Sequence, residues 1–321
     1  MRDLEADTAA LRSGAGAFRA ARDVVAVRGP EAETYLQGQL SQDLSALAIG
    51  ASADSLLLEP DGKLSALLRV TRTDGQGFVL DVEGGYGDAV MARLRRFVLR
   101  SKVEMTPLAW RCLSLRGPAV GVAAAGLLAV LAERGVLAIP FEWNGWKGTD
   151  LLGPEDVVLG PDEVALPAGI VACGPEAVEA CRIVVGIPAM GTELTGKTIA
   201  AEAGLVERTV SFTKGCYTGQ ELVARIDSRG SNVARRLCGV VVPGDDPPPV
   251  GAGVWTADGG HEVGSLSSVA WSPGHGAWVA LATVHRRVVP PEGVVVTWGD
   301  GPTHRVAAEA RPLPLGPGTG G

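Results

Sequence analysis

The first regular pattern in the chain is "DVVAVRGP" (23–30), where Val24, Val25 and Val27 predict a strand. Pro30 in the following turn is preset for the first turn of a helix. Tyr35, Leu36 and Leu40 then recur at helical spacing over 31–40. The same order returns from Arg111: "LSL", a second "RGP" at 116–118, then an Ala- and Leu-rich helical run. The chain thus carries an internal β-turn-α repeat. One such unit exposes an apolar face, so the two are expected to pair within one sheet of an α+β domain whose halves lie far apart in sequence. Residues 1–16 read as a loose tail or a short helix.

Between the two units, "LLLEPDGKLSALLRV" (56–70) signals a hairpin with Asp61 and Gly62 at its turn. "GFVLDV" adds a third strand. Val90, Met91, Leu94 and Val98 share one face of a helix in "GDAVMARLRRFVL". This block reads as a β-rich insertion. From Ala234 onward, short apolar runs alternate with Gly, Pro and Asp turns, which predicts a small barrel or sandwich. "DDPPPVGAG" cannot be a central strand, because proline donates no ladder bond. The closing "RPLPLGPGTGG" reads as disordered.

Length and composition narrow the function. At 321 residues the chain has room for two or three domains. A net charge of −7 argues against a general phosphate-backbone binder. Arg93, Arg95, Arg96, Arg100 and Lys102 cluster locally and read as a solvated helix face. The five cysteines form no CxxC pair, and the four histidines show no zinc-ligand spacing with them. Scattered thiols, an acidic N-terminus without an apolar leader and the lack of a bilayer-length apolar run predict a cytoplasmic protein with no metal site and no membrane partner.

The candidate chemistry sits in "FTKGCYTGQE" (212–221). Thr218 and Glu221 have the spacing of a capping box ahead of a helix carrying Leu222, Val223 and Ile226. Cys216 would then lie just upstream of a positive helix end with Lys214 beside it, a setting that favours a thiolate. Spacing alone leaves two readings open: a reactive or ligating thiol, or a small buried filler. Gln220 and Glu221 could hydrogen-bond a ligand. Arg225 could pair with Glu221 at i,i+4 or reach an anionic ligand. Cys112, Cys173, Cys181 and Cys238 read as core.

"KGCYTGQE" (214–221) resembles the signature of the YgfZ-type folate-binding proteins, relatives of the glycine-cleavage T-protein (aminomethyltransferase). "GIPAMGTEL" (186–194), "VGSLSSVAWSP" (263–273), "VRGPEAETYLQGQLSQDL" (27–44) and the 56–70 hairpin extend the resemblance over most of the chain. It implies an α+β, three-lobed cloverleaf with two discontinuous α/β lobes and a C-terminal β-barrel. The segments would be 17–50 with 112–183, 51–111 with 184–233, and 234–312, followed by a disordered tail at 313–321.

The resemblance further implies tetrahydrofolate, or a one-carbon-substituted form, held between the lobes. Such a protein supports iron–sulfur cluster assembly or repair, including clusters of tRNA-modifying enzymes. Its partners would be iron–sulfur clients or assembly factors, without direct nucleic-acid contact. Cys216 and Lys214 would be the key residues, with Tyr217, Gln220, Glu221, Arg225, Gln39, Asp43 and Trp146 as folate-binding candidates. The T-protein carries paired acids after its first hairpin turn; this chain has Ser65 and Ala66. That difference disfavours the alternative, a folate-dependent aminomethyltransferase, because a general acid/base is missing.

Overall fold

The computed structural model describes residues 3–98, 100–158, 166–230, 232–299 and 304–316. It is an α+β structure built from two five-stranded sheets and a closed six-stranded barrel. Strand Arg22–Arg28 pairs antiparallel with Gly77–Glu83 on one side and Glu104–Leu108 on the other. The hairpin Ser52–Leu58 and Leu64–Arg72 completes that sheet. In the second sheet, Trp110–Arg116 lies between Gly16–Ala20 and Trp146–Pro154, with Leu137–Trp143 at the edge.

The expected pairing of the two "RGP" units within one sheet is therefore incorrect. Each unit belongs to its own sheet, and residues 22–39 group with 52–108 rather than with 112–154. The two turns are held by different neighbours. A side chain at Gly29 would run into the Lys102 carbonyl, and one at Gly117 into the Gly14 carbonyl. The repeat is real, but each copy nucleates a separate lobe. A shared apolar patch of Val24 and Val79 with Cys112, Ile139 and Leu152 joins the two sheets.

The 31–40 helix forms over Ala32–Gln39, and residues 1–16 supply the helix Leu4–Ser13. The barrel runs Arg235–Val242, Ala277–His285, Glu262–Ser272, Gly253–Thr256, Glu292–Trp298, His304–Arg311 in spatial order, and the last strand closes it onto the first. Two further expectations change. Arg93 is not solvated: its side chain is 2% exposed, packs over Phe97 and donates to Gln39 and the Leu58 carbonyl. Disorder does not begin at 313. Leu315 is buried beside Val184, to whose carbonyl its N–H donates, and Leu313 packs on Gly186 and Gly239. Two leucines spaced one residue apart are enough to hold this strap in place; 317–321 lie outside the described residues.

Glu193, fully buried, binds the barrel to the lobes. Its carboxylate accepts from Ser267 and Ser268 of the barrel, from Arg182 of the helix Pro175–Val185, and from the Ala189 N–H. Burial alone would raise its pKa, but Arg182 and these donors more than offset that and hold it below the usual carboxylate range.

Candidate functional site

The 212–221 loop folds against the end of the helix Ala32–Gln39. Carbonyls in the last turn of a helix lack intrahelical donors. Lys214 fills this need: its Nζ donates to the carbonyls of Gln37 at 2.8 Å, Leu40 at 2.6 Å and Gln42 at 2.9 Å. Burial pushes its pKa down to about 8, against the opposing pull of Asp43. The ammonium also sits 5.2 Å from the centre of the Tyr217 ring. Asp43 is tied to Gln37 and Ser45, and Gln220 accepts from the Tyr217 N–H. Lys214, Tyr217, Gln220 and Asp43 thus share one neighbourhood. Gln39 lies on the same helix, facing Arg93.

The expected capping box does not form. The helix is Gln220–Asp227, its N-cap is Gly219 in the left-handed region, and no side chain caps it. The Thr218 N–H and hydroxyl donate to the Gly38 carbonyl instead. Long-range anchoring to the 32–39 helix has replaced the local cap. Gly219, at φ +83°, and Gly62, at φ +82°, face one another. A Cβ on Gly219 would lie 2.5 Å from the Glu59 carbonyl oxygen. The motif's second glycine is therefore required by the close approach of the Asp61-Gly62 turn. Gly215 has open space around it.

Cys216 is exposed, whereas Cys112, Cys173, Cys181 and Cys238 are buried as expected. No hydrogen bond joins Cys216 to Lys214 among the described residues, and Glu221 and Arg225 form no ion pair there. Both of those residues face solvent. Trp146 lies apart from the loop, buried in the other lobe, with its indole N–H donating to the Leu11 carbonyl.

Between the two sheets lies a cavity of about 430 Å³. This falls within the range of about 300–1,000 Å³ typical of sites that enclose small organic ligands. Phe18, Phe141 and Trp143 supply its aromatic surface, and Arg22, Arg69, Arg116, Asp150 and Arg208 its charges. None of the nine residues singled out from the sequence lines it. Trp146 comes nearest, stacked on Phe18 and edge-on to Phe141. Gln42 is the link to the motif loop: it lines the cavity while its carbonyl accepts from Lys214.

Charge at the cavity floor is arranged as a chain across both sheets. Arg22 donates to Asp81 at 2.8 Å, Arg69 to Asp81 at 3.0 Å and to Asp150 at 2.7 Å, and Arg116 pairs with Asp150 at 2.8 Å. Burial would raise the Asp150 pKa; Arg116 and Arg69 more than offset it, and the carboxyl is held below its ordinary range. At the rim, Arg208 pairs with Asp54 at 2.7 Å, bonds the Glu142 carbonyl, and stacks 4.2 Å from the Trp143 ring. The signal for these residues was present in the sequence. Arg69 in "LLRV" and Asp150 in "TDLL" put charges inside apolar strand runs, which in a folded chain demands a partner.

Among the described residues no group of three or more His, Cys, Asp or Glu could hold a metal ion, and no helix is long and apolar enough to cross a membrane. Residues 235–315 match the family model described as the glycine cleavage T-protein C-terminal barrel domain. The chain is 29% identical over 310 residues to an aminomethyltransferase of Rubrobacter xylanophilus, covering 90% of this chain and 80% of that one. It is 31% identical over 216 residues to the tRNA-modifying protein YgfZ of Klebsiella pneumoniae, covering 64% and 65%. An uncharacterized protein of Haemophilus influenzae is 28% identical over 212 residues, covering 65% and 67%. The crystal structure of glycine cleavage system aminomethyltransferase T from Bartonella henselae superposes with a TM-score of 0.78 at 22% identity, over 98% of this chain and 89% of that one, which shows a shared fold.

Proposed function

We propose, from the premise that this chain is a YgfZ-type relative of the glycine-cleavage T-protein family, that it is a tetrahydrofolate-binding accessory protein linked to tRNA modification. Its finer role in this reading is support of iron–sulfur cluster assembly or repair, with Cys216 as the functional thiol. The observation that carries the reading is the state of the cavity's carboxylates. Asp54 and Glu142 are engaged by Arg208, Asp150 by Arg69, Arg116 and Ser114, and Glu83 by the Met190 N–H. Ser65 and Ala66 offer no acid. A proton-transferring base needs a carboxylate free to meet the reacting nitrogen. This cavity is equipped to bind a ligand and poorly equipped to transform one.

The position of Cys216 supports the same division of labour. The thiol faces solvent on the motif loop, where Phe212 is also exposed, and it does not line the cavity. A client protein would meet the thiol from outside while folate occupies the interior. Calorimetric titration with tetrahydrofolate tests the ligand; no heat at near-millimolar ligand would refute the folate reading. Formation of methylenetetrahydrofolate from an aminomethylated lipoyl carrier would favour the aminomethyltransferase alternative instead. For the thiol, Cys216→Ser is expected to retain folate binding and to lose complementation of a cluster-repair-deficient strain. Full complementation would return Cys216 to a passive surface role.

A further inference from the structure

The charged chain at the cavity floor is polarised. At one end Arg22 stands opposite Glu83 in the paired strands. At the other end the chain stops at Arg116, whose single carboxylate partner among the described residues, Asp150, is shared with Arg69. Arg116 is 4% exposed. Its Nη1 is occupied by Asp150 at 2.8 Å and by the Leu115 carbonyl at 3.0 Å. Among the described residues no acceptor bonds its Nε, which is closed off from solvent, and none bonds its Nη2, which is not among the closed-off atoms. The guanidinium lies 3.5 Å from the centre of the Phe141 ring, with Phe18 and Trp146 at 5.6 and 5.5 Å.

A desolvated guanidinium with unfilled donor positions is a costly arrangement unless something completes it. The residue lines the cavity, so a ligand there can supply the acceptor that Nη2 lacks. The surroundings define that ligand. The rings of Phe18, Phe141 and Trp143 that line the cavity favour a flat heterocycle over a hydrated, flexible anion. A flexible charged tail suits the rim instead, where Arg208 is 28% exposed.

We propose that Arg116 fixes the ring of the bound ligand by donating to an oxygen on the ring edge. For tetrahydrofolate this is the lactam oxygen of the pterin, so the inference rests on the folate reading above. Arg69 and Asp150 are positioning residues that hold the guanidinium in place.

Folic acid and aminopterin provide the test, because aminopterin replaces the lactam oxygen with an amino group and turns an acceptor into a donor. Binding of tetrahydrofolate is measured alongside, by quenching of tryptophan fluorescence. Wild-type protein is expected to prefer folic acid by about tenfold or more, since a site built for an acceptor rejects the analogue that lacks it. Arg116→Lys, which keeps the charge, and Arg116→Gln are expected to bring the two Kd values within about threefold of each other. Melting curves of both variants confirm that they are folded. Tetrahydrofolate binding with equal wild-type affinity for the two probes overturns the role of Arg116 and leaves the folate reading standing. An unchanged preference in both folded variants does the same. If none of the three compounds binds, the folate reading and this inference fall together.

Discussion

Lys214 and Cys216 are two residues apart in the motif but do different physical work. The Lys214 ammonium satisfies three main-chain carbonyls, those of Gln37 and Leu40 at the end of a helix and of Gln42 just beyond it. Lys214→Met would leave these carbonyls without their donor, and a loss of about 1–3 kcal/mol of stability is expected by urea denaturation. Cys216 faces solvent and has no hydrogen bond among the described residues, so Cys216→Ser is expected to stay within about 0.5 kcal/mol of wild type in the same assay. Equal destabilisation by the two substitutions would contradict this division. Buried charge is where residue chemistry was hardest to read from sequence. Arg93, in a run of arginines, looked like surface, yet the Leu58 carbonyl and Phe97 hold it in the core.

At the level of elements, the motif helix begins by long-range contact rather than by a local cap. Gly219 closes against the Glu59–Gly62 turn, and Thr218 is anchored to Gly38. Gly219→Ala must accept a left-handed backbone and a Cβ 2.5 Å from a carbonyl oxygen. It is expected to cost about 1–3 kcal/mol, whereas Gly215→Ala, in open space, stays within about 0.5 kcal/mol. Thermal melts of the two variants check this, and a silent Gly219→Ala would show that the turn-to-turn contact is dispensable. Most elements were legible because hydrophobic period and turn chemistry agree locally. The hairpin Ser52–Leu58 with Leu64–Arg72 and the helix Gly87–Arg95 fall where alternation and helical spacing put them. The cap was not legible, because the same Thr and Glu spacing serves whether or not a distant carbonyl competes for the threonine.

Across the whole molecule, the charged chain joins one sheet to the other through Arg69 and Asp150. Its acid response has a definite sign. Asp150 titrates below its ordinary value of 3.8 in the folded protein, because Arg116 and Arg69 outweigh the effect of burial. Its contribution to stability is therefore complete above about pH 4, and it is lost as pH falls toward the folded value, where the unfolded chain already holds the proton. Asp150→Asn is expected to cost about 3–5 kcal/mol at neutral pH, since it strips a buried partner from two arginines. It should also flatten the decline of stability between about pH 4 and pH 2, followed by denaturation at a series of pH values. An unaltered acid slope would mean that other carboxylates set it.

The sequence by itself determined the α+β class, a strand-rich C-terminal unit, the core placement of four cysteines and the family resemblance, because each depends on local periodicity or on contiguous motif residues. Tertiary structure alone decided which sheet each "RGP" strand joins, because the local pattern is alike in both copies while their ladder partners lie elsewhere in the chain, at 77–83 and 104–108 for one and at 16–20 and 146–154 for the other. It also decided that the motif loop meets the cavity only through Gln42, which lines the cavity and accepts from Lys214. The cavity is assembled from residues between 18 and 208, and no contiguous stretch carries the pairing of Arg69 with Asp150 or of Arg208 with Asp54. Arg69 meets Asp150 only when two separately hydrogen-bonded sheets come together and their buried charges must neutralise one another, and Arg208 reaches Asp54 at the rim from the helix Val206–Thr209.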